Sequence, residues 1–182
     1  KSSDILPVRG YGWRPDLPDQ RDQLRSVPSS VLASLPPSVD LRSIMPPIVS
    51  QGSLGSCTAN MLAGMVGYNQ KQQGQEFVPV SRLYEYFNTR VIQRSVQYDS
   101  GASIRDTIKA SVAEGFCPEE MRPYDITKIS QKPPQICYTV GRVHLIEKYA
   151  AVPQVLDQLK GVLAGQECVG FGFSVYESFN YQ

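Results

Sequence analysis

The sequence predicts an α+β protein in which a helical lobe comes first and a sheet-based lobe follows. Two observations support this prediction. Apolar residues recur at intervals of three and four between about residue 57 and residue 115, as in amphipathic helices. After about residue 140 the chain mixes β-branched and aromatic residues, as strands do. A proline-rich segment, residues 1–38, precedes both parts.

The composition is that of a globular protein of 182 residues, of which 41% are hydrophobic. The formal net charge of +1 gives no reason to expect nucleic acid or an anionic membrane as a partner. No apolar run approaches the ~20 residues that a membrane span needs. Residues 1–10 lack the apolar core and cleavage site of a signal peptide. The location stays open, with a secreted or periplasmic one slightly favoured over the cytoplasm.

The cysteines do not indicate a disulfide framework or a zinc site, because they are few and lack CxxC spacing. With His144 as the single histidine, the chain has little material for a metal site with nitrogen and sulfur ligands. We therefore expect no metal and no cofactor. Cys117, Cys137 and Cys168 are predicted to be buried thiols, and a Cys117–Cys137 disulfide is the alternative.

Residues 1–38 contain six of the chain's 14 prolines, and their apolar residues follow no period. Proline disfavours helix interiors and central strands. We predict an extended arm that lies on another surface, with a disordered tail as the alternative. Trp13, Leu17 and Leu24 favour docking, because a fully solvated tail gains nothing from such side chains.

The compact part begins near residue 39, and its first predicted helix runs from Cys57 to about residue 73. Gly74 is its expected stop. Gly64 and Gly67 inside this helix cost roughly 1 kcal/mol each against alanine. We therefore expect another segment of backbone to approach the helix closely at these two positions.

Two further helices are predicted in the helical lobe. One runs from 81 to about 94, with Ser81 as its cap, and the other runs from 103 to 114, with Gly115 after its end. Residues 116–139 contain four prolines and are predicted to be mostly loop. Within that loop we interpret the pair Glu119-Glu120 as solvated surface.

The sheet-based lobe is predicted from residue 140 onward, so the chain divides into an arm (1–38), a helical lobe (39–139) and a sheet lobe (140–182). Residues 142–149 and 168–176 read as strands, and residues 153–163 read as an amphipathic helix between them. Two strands and one helix do not close a barrel. The sheet lobe is therefore expected to be incomplete.

The most informative stretch is QGSLGSC at residues 51–57, which runs directly into the first predicted helix. A thiol is a good nucleophile only as the thiolate, and a helix N-terminus stabilises that anion. Cys57 is therefore the predicted nucleophile. Acyl transfer also needs donors for a developing oxyanion. The backbone N–H of Cys57 is one candidate, and the side-chain amide of Gln51 is the other.

This motif resembles the active-site motif of papain-like cysteine peptidases, with the interval from Gln51 to Cys57 intact. Residues 37–42 (PSVDLR) look like the start of the mature enzyme, and the Pro123-Tyr124 pair matches the Pro-Tyr of a later loop. The resemblance implies a two-lobe fold: a helical lobe followed by an antiparallel β-barrel lobe, which residues 140–182 would only begin.

Other parts of the chain resemble the same family. Residues 99–101 (DSG) fall where the family has a glycine pair whose backbone pairs with bound peptide. This implies that Ser100 and Gly101 align the substrate, with Ser103 near the subsite that precedes the cleaved residue. The proline-rich arm is similar to the short N-terminal segment of bacterial and archaeal members, which implies an intramolecular inhibitor lying over the cleft.

The sequence departs from the family's common C-G-[SA]-C-[WY] motif at two positions. Leu54 stands where the first cysteine would be, so the disulfide usually made from that position cannot form. Thr58 replaces the aromatic residue. Ser100 likewise replaces the first glycine of the pair. These departures affect disulfides and subsite shape rather than the nucleophile.

The general base is the larger departure. The family's histidine and asparagine lie about 130–150 residues beyond the cysteine, which is past the last residue, Gln182. His144 is predicted to be a structural or surface histidine. The economical interpretation is that the chain is a fragment, whose C-terminal remainder supplies base and orienting asparagine.

Three functions follow as hypotheses. The first is a papain-like cysteine endopeptidase acting on peptide or protein substrates, with residues 1–38 as a strap over the cleft. The second is a catalytically inactive papain-fold protein that binds peptides. The third is a different papain-fold acyl transferase, such as a transglutaminase-like enzyme. The sequence does not give the substrate preference or the oligomeric state.

Overall fold

The computed structural model describes residues 11–176, and the predictions made for residues 1–10 and 177–182 lie outside this range. Six α-helices occur in the described part, and two short 3-10 helices lie at Arg42–Ile44 and Ile126–Lys128. In chain order the α-helices are α1 (Ser29–Leu32), α2 (Cys57–Gln72), α3 (Arg82–Ile92), α4 (Ile104–Glu114), α5 (Gln135–Gly141) and α6 (Leu156–Ala164).

Helices α2, α3 and α4 pack on one another and form the centre of the molecule. Their ends agree with the local sequence signals. Ser81 caps α3 by accepting a hydrogen bond from the backbone N–H of Tyr84, and Ser103 caps α4 by accepting one from Asp106. Gly115 follows α4 with a φ of 70°, a left-handed conformation that glycine adopts without strain.

The apolar core lies between these three helices and the loop that follows α4. One cluster joins Leu62, Val80 and Phe116, and a second places Ala59 and Tyr86 against Ala102. A third contains Tyr84, Cys117, Cys137 and Tyr138 and brings α5 against α3. The core therefore holds the start of α2 and the start of α4 side by side.

The two glycines inside α2 behave differently from each other. A Cβ added at Gly67 would lie 2.7 Å from the Phe77 ring and 3.1 Å from Pro46, so the expected close approach is present, though by side chains. A Cβ at Gly64 would meet no atom of residues 11–176 within 4 Å. The expectation of close packing at Gly64 is therefore wrong.

One helix prediction needs correction. Residues 116–139 are mostly loop, as predicted, and α5 begins near their end, at Gln135 directly after Pro134. Helix α6 begins at Leu156 and not near Pro153, because Val155 still has an extended backbone. Pro153 is thus not the first residue of the helix but part of the chain that leads to it.

The predicted strands at 142–149 and 168–176 are not present as strands. Bridges in the described range are isolated pairs, and Leu24 with Ala151 is the one that involves this region. A strand needs a neighbouring strand to pair its backbone groups. The antiparallel barrel lobe is therefore not confirmed. The described structure is mostly helical.

The arm is extended over most of residues 11–38 and includes the short helix α1. Val27 is buried and packs close to α6, where a Cβ added at Gly161 would lie only 2.9 Å from the Val27 side chain. Leu17 and Leu24, in contrast, remain 82% and 66% exposed. The interpretation of these two leucines as docking residues is wrong, whereas Trp13 does contact the rest of the molecule. Within residues 11–176, no helix combines the length and apolarity that a membrane crossing requires.

Candidate active site

Cys57 is the first residue of α2 and is partly exposed, whereas its neighbours Ser56 and Thr58 are buried. The turn before it depends on Gly52, whose φ is 62°. Gly55 lies against the arm and against residue 101, where a Cβ would crowd both backbones. The motif therefore forms a tight loop that delivers Cys57 to the surface at a helix N-terminus.

Gln51 and Cys57 line the same cavity, which has a volume of about 500 Å³. The side-chain amide of Gln51 donates to the carbonyl oxygen of Leu54 at 2.7 Å, which holds this side chain over the loop. The other walls come from α2, the start of α4, the arm and the segment 171–175. Apart from the motif, the wall residues on the helices are Thr58, Met61 and Ile104.

Sequence reasoning missed most of these walls. In the sequence Thr58 stands out only as a departure from the family motif, and nothing in the periodicity of α2 separates Met61 from a core residue. Segment 171–175 belongs to the predicted strand 168–176, which is absent. Gly170, directly before it, lies against the sulfur atoms of Met61 and Met65. The absence of a Cβ at Gly170 allows this segment to approach α2.

Ser100, Gly101 and Ser103 lie next to the cleft, but their contacts are mostly structural. The hydroxyl of Ser100 lies 2.8 Å from that of Ser95, and the N–H of Gly101 donates to the hydroxyl of Tyr86 at 3.0 Å. Ser103 caps α4. Ser100 and Gly101 line a second, smaller cavity of about 170 Å³ between the motif and the arm.

Asp99 links the motif to this segment. Its carboxylate accepts a hydrogen bond from the Gly55 N–H at 2.9 Å and another from the Tyr86 hydroxyl. Burial, followed by the bond to Asp99, raises the pKa of Tyr86. The sequence indicated only a turn at 99–101, and it gave no signal for this contact, which joins residues 44 positions apart.

The arm crosses the cleft beside Cys57. Ala102 donates its N–H to the Gly12 carbonyl at 2.7 Å and accepts from the Arg14 N–H at 2.9 Å, so Trp13 and Ala102 form a parallel bridge. The Trp13 indole occupies the space that a Cβ on Gly172 would fill. Its Nε1 is buried without a hydrogen-bond partner among the described residues.

An ionic contact holds the arm farther along. The Arg105 guanidinium binds the two carboxylate oxygens of Asp22 at 3.1 and 2.5 Å and the Leu17 carbonyl at 2.6 Å. Asp16 accepts from the backbone N–H of Arg105 at 3.1 Å, in the first turn of α4. An anionic group at that position is favoured by the helix dipole.

His144 is exposed and lines neither cavity; its backbone carbonyl accepts from Phe116 at 3.1 Å. The interpretation of Glu119 as solvated surface is wrong, because its carboxylate pairs with Arg82 at 3.0 Å and its side chain is only 22% exposed. Its neighbour Glu120 is exposed. Among residues 11–176, no group of three or more His, Cys, Asp or Glu side chains is arranged to hold a metal ion.

All four cysteines are free thiols. Cys117 and Cys137 are fully buried next to each other, and burial raises the pKa of Cys117. Cys168 is only partly buried, so its prediction as a buried thiol is wrong in degree. Burial nevertheless raises the pKa of Cys168. Cys57 is thus distinguished by its position at the cleft.

Comparison with known proteins gives two close similarities. The chain is 33% identical over 199 aligned residues to the uncharacterized peptidase C1-like protein L477 of Acanthamoeba polyphaga mimivirus, covering 96% of this chain and 64% of that protein. The crystal structure of xylellain, a cysteine protease from Xylella fastidiosa, superposes with a TM-score of 0.79 at 39% identity.

The superposition with xylellain covers 88% of this chain and 66% of xylellain. The chain thus spans slightly less than two thirds of each of these two proteins. No protein-family model matches the chain. One similar protein is named a peptidase C1-like protein and the other a cysteine protease, which agrees with the motif at residues 51–57. On this evidence the chain belongs to the papain-like cysteine peptidase family.

Proposed function

We propose that this protein hydrolyses peptide bonds as a cysteine peptidase, with Cys57 as the nucleophile. The observation that carries the proposal is the placement of Cys57 and Gln51 on one cavity, with Cys57 at the N-terminus of α2. A helix N-terminus favours the thiolate form of a cysteine. The similarities to a peptidase C1-like protein and to a cysteine protease agree with this chemistry.

The proposed reaction is acyl transfer to sulfur followed by hydrolysis. The Cys57 thiolate attacks the carbonyl carbon of the peptide bond and forms a tetrahedral adduct. The carbon–nitrogen bond then breaks, the amine leaves with a proton from a general acid, and water hydrolyses the remaining thioester. The Gln51 side-chain amide and the Cys57 N–H are the proposed donors to the developing oxyanion.

We place the general base and its orienting asparagine in sequence C-terminal to residue 182. Two observations support this assignment. His144 is exposed and lines neither cavity. The chain also spans only 64% and 66% of the two similar proteins. A histidine brought to the open side of the cavity would complete the pair that the thiol needs.

The substrate is proposed to pair with the segment 100–103, where the arm now lies. Ala102 uses both its N–H and its carbonyl to bind Gly12 and Arg14 of the arm. A peptide that bound there would have to displace the arm. Because the arm occupies both backbone groups of Ala102, we propose that it acts as a strap over the cleft.

A mechanism-based label tests the proposed nucleophile. The protein as its gene encodes it is treated at neutral pH with an epoxide-type thiol trap and analysed by mass spectrometry of its peptides. We expect one label, on Cys57, and none on the Cys57→Ser variant. Labelling of other cysteines alone, together with no hydrolysis of peptide amides, would contradict the proposal and favour an inactive peptide-binding protein.

A further inference from the structure

A cluster of four polar side chains lies behind the loop 50–56, on the side away from the cleft. Its members come from α2, α3 and the loop after α4, and none of them lines either cavity. We call it the support cluster, and it consists of Asn60, Arg82, Glu119 and Tyr124. Buried polar side chains normally have hydrogen-bond partners. The side chains of Arg82 and Glu119 are only 13% and 22% exposed, and they pair with each other.

The Tyr124 hydroxyl joins the two ends of the loop. It donates to the backbone carbonyl of Gln51 at 2.9 Å and lies 2.5 Å from the hydroxyl of Ser56. A phenol has one proton to give. Because that proton goes to Gln51, the Ser56 hydroxyl must be the donor in the short contact. One oxygen atom therefore fixes Gln51 relative to the residue that precedes Cys57.

Asn60 completes this chain of hydrogen bonds. Its Nδ2 donates to the carbonyl of Ser56 at 3.0 Å and to the hydroxyl of Ser56 at 3.1 Å. Its Oδ1 accepts from Arg82 at 3.1 Å, which settles the orientation of the amide. The hydrogen bonds thus all point the same way: Asn60 donates to Ser56, Ser56 donates to Tyr124, and Tyr124 donates to Gln51.

Arg82 and Glu119 hold the cluster in place. The Arg82 guanidinium donates to the Ser50 carbonyl at 3.0 Å and lies over the Tyr124 ring at 4.1 Å. Glu119 accepts from Arg82 at 3.0 Å and from the backbone N–H of Tyr124 at 3.1 Å. Charge-assisted bonds of this kind are about twice as strong as neutral ones, so the loop rests on an ordered foundation.

We propose that Tyr124 is a positioning residue for the peptidase reaction: its hydroxyl holds the backbone of Gln51 so that the Gln51 amide meets the oxyanion. This inference rests on the proposed function, in which Gln51 is an oxyanion donor. Tyr124 lines neither cavity, and it acts through its bonds to Gln51 and Ser56. A displacement of a donor by about 1 Å is enough to slow a reaction about 100-fold.

The test is the Tyr124→Phe variant of the protein as its gene encodes it. This change removes the hydroxyl and keeps the ring under Arg82. The matched control is Tyr138→Phe, which removes another buried hydroxyl, bonded to Asn88 at 3.0 Å in the core beyond α3. We expect kcat on a peptide amide to fall about 10- to 100-fold in Tyr124→Phe, with KM little changed. Tyr138→Phe should keep the wild-type kcat.

Two inhibitors separate positioning from loss of structure. A peptide aldehyde forms a tetrahedral adduct with an oxyanion, so its affinity should fall by the same factor as kcat. Iodoacetamide alkylates a thiolate by displacement at carbon and forms no oxyanion, so its rate with Cys57 should change less than about twofold. An equal loss in both measurements would overturn the proposal, because the thiol itself would then be affected.

The Ser56→Ala variant removes the hydroxyl that donates to Tyr124, and so tests the same hydrogen-bond series at its other end. If Ser56 and Tyr124 act as one unit, the double variant should lose little more kcat than Tyr124→Phe alone. Independent, multiplying effects would overturn the proposed chain of bonds. A wild-type protein without peptidase activity would overturn the proposed function and this role with it. An active wild type whose Tyr124→Phe variant matches Tyr138→Phe would overturn the positioning role alone.

Discussion

Ala102 binds the arm through both of its backbone groups, donating to Gly12 at 2.7 Å and accepting from Arg14 at 2.9 Å. This pairing uses the edge of the segment 100–103 that faces the cleft, beside the cavity of Cys57. Under the proposed function, the arm therefore occupies backbone groups that a bound peptide would need. Loosening the arm should increase hydrolysis of small peptides, and the contacts that hold it indicate where to do so.

The first prediction concerns the ion pair between Asp22 and Arg105. Both side chains are mostly buried, at 27% and 18% exposure, and the contact is bidentate. Asp22→Asn removes the charge and keeps the shape, which should weaken arm docking by about 1 kcal/mol. We expect kcat/KM on a small peptide amide to rise about fivefold. The Asp40→Asn control removes an exposed pair with Arg42 and should change nothing.

High salt provides an independent check of this ion pair. The pair is mostly buried, so salt screens it only in part. Wild-type activity should therefore rise slightly with salt, and more than that of Asp22→Asn. An Asp22→Asn protein with unaltered activity at every salt concentration would contradict a docking role for this pair.

The second prediction compares two glycines. A Cβ on Gly12 would overlap the carbonyl group of Gly55, which is backbone and not able to move aside easily. Gly12→Ala should therefore push the arm away and raise activity on small peptides. Gly64→Ala is the matched control, because a Cβ there meets no atom of the described residues within 4 Å. It should leave activity unchanged and stabilise α2 by about 0.5–1 kcal/mol. Activity of Gly12→Ala at or below the wild-type level would contradict this account.

The third prediction concerns Glu85, which is 1% exposed on α3. The Ser111 hydroxyl donates to one of its carboxyl oxygens at 2.5 Å, and the other oxygen has no partner in the described structure. Burial raises the pKa of Glu85 to about 8, although the bond from Ser111 works in the opposite direction. A glutamate in an unfolded chain titrates near ~4.3.

Between these two pKa values the folded protein holds a proton on Glu85 that the unfolded chain has lost. The contribution of Glu85 to the free energy of unfolding is therefore complete below pH ~4.3 and is lost as the pH rises toward 8, by up to about 1.4 kcal/mol per pH unit. Urea unfolding should show this slope in the wild type but not in Glu85→Gln. The exposed Glu120→Gln control should keep it. Parallel wild-type and Glu85→Gln profiles would show that Glu85 does not titrate in this range.

The fourth prediction concerns the order in which the thiols react. Cys57 lies at the cleft, Cys168 is partly buried, and Cys117 and Cys137 are 0% exposed. Because burial raises the pKa values of Cys117 and Cys168, a disulfide reagent should modify Cys57 first and Cys168 more slowly. Cys117 and Cys137 should react only on unfolding. Rapid modification of Cys117 in the native protein would refute this burial.

The helices were predictable because their signals are local. Ser81 and Ser103 cap helices whose apolar residues follow one period, and Gly115 ends the second of them. Helix α5 was missed because it is short and follows two prolines, of which Pro134 is its cap. The strands predicted after residue 140 failed because a strand depends on a partner elsewhere in the chain, which an apolar pattern does not reveal.

In the candidate site, the sequence indicates the contiguous motif but not the contacts between distant residues. Residues 51–57 are contiguous, so the sequence places Gln51 and Cys57 on one loop, and the structure brings both to one cavity. The contacts of Glu119 with Arg82 and of Tyr124 with Gln51 join residues 37 and 73 positions apart. Nothing in the local sequence at Glu119 distinguishes a partner of Arg82 from a solvated carboxylate. These longer contacts determine how the loop is held, and they required the folded structure.

Removal of the cleft-covering part of the arm tests the central claim most directly. Deletion of residues 1–18 removes Gly12 and Trp13 and keeps Val27, which is buried against Gly161 of α6. We predict that kcat/KM on a small peptide amide rises at least about tenfold, and that Cys57→Ser abolishes the activity of both forms. Unchanged hydrolysis after the deletion, with Cys57 still reactive toward the thiol trap, would contradict the account.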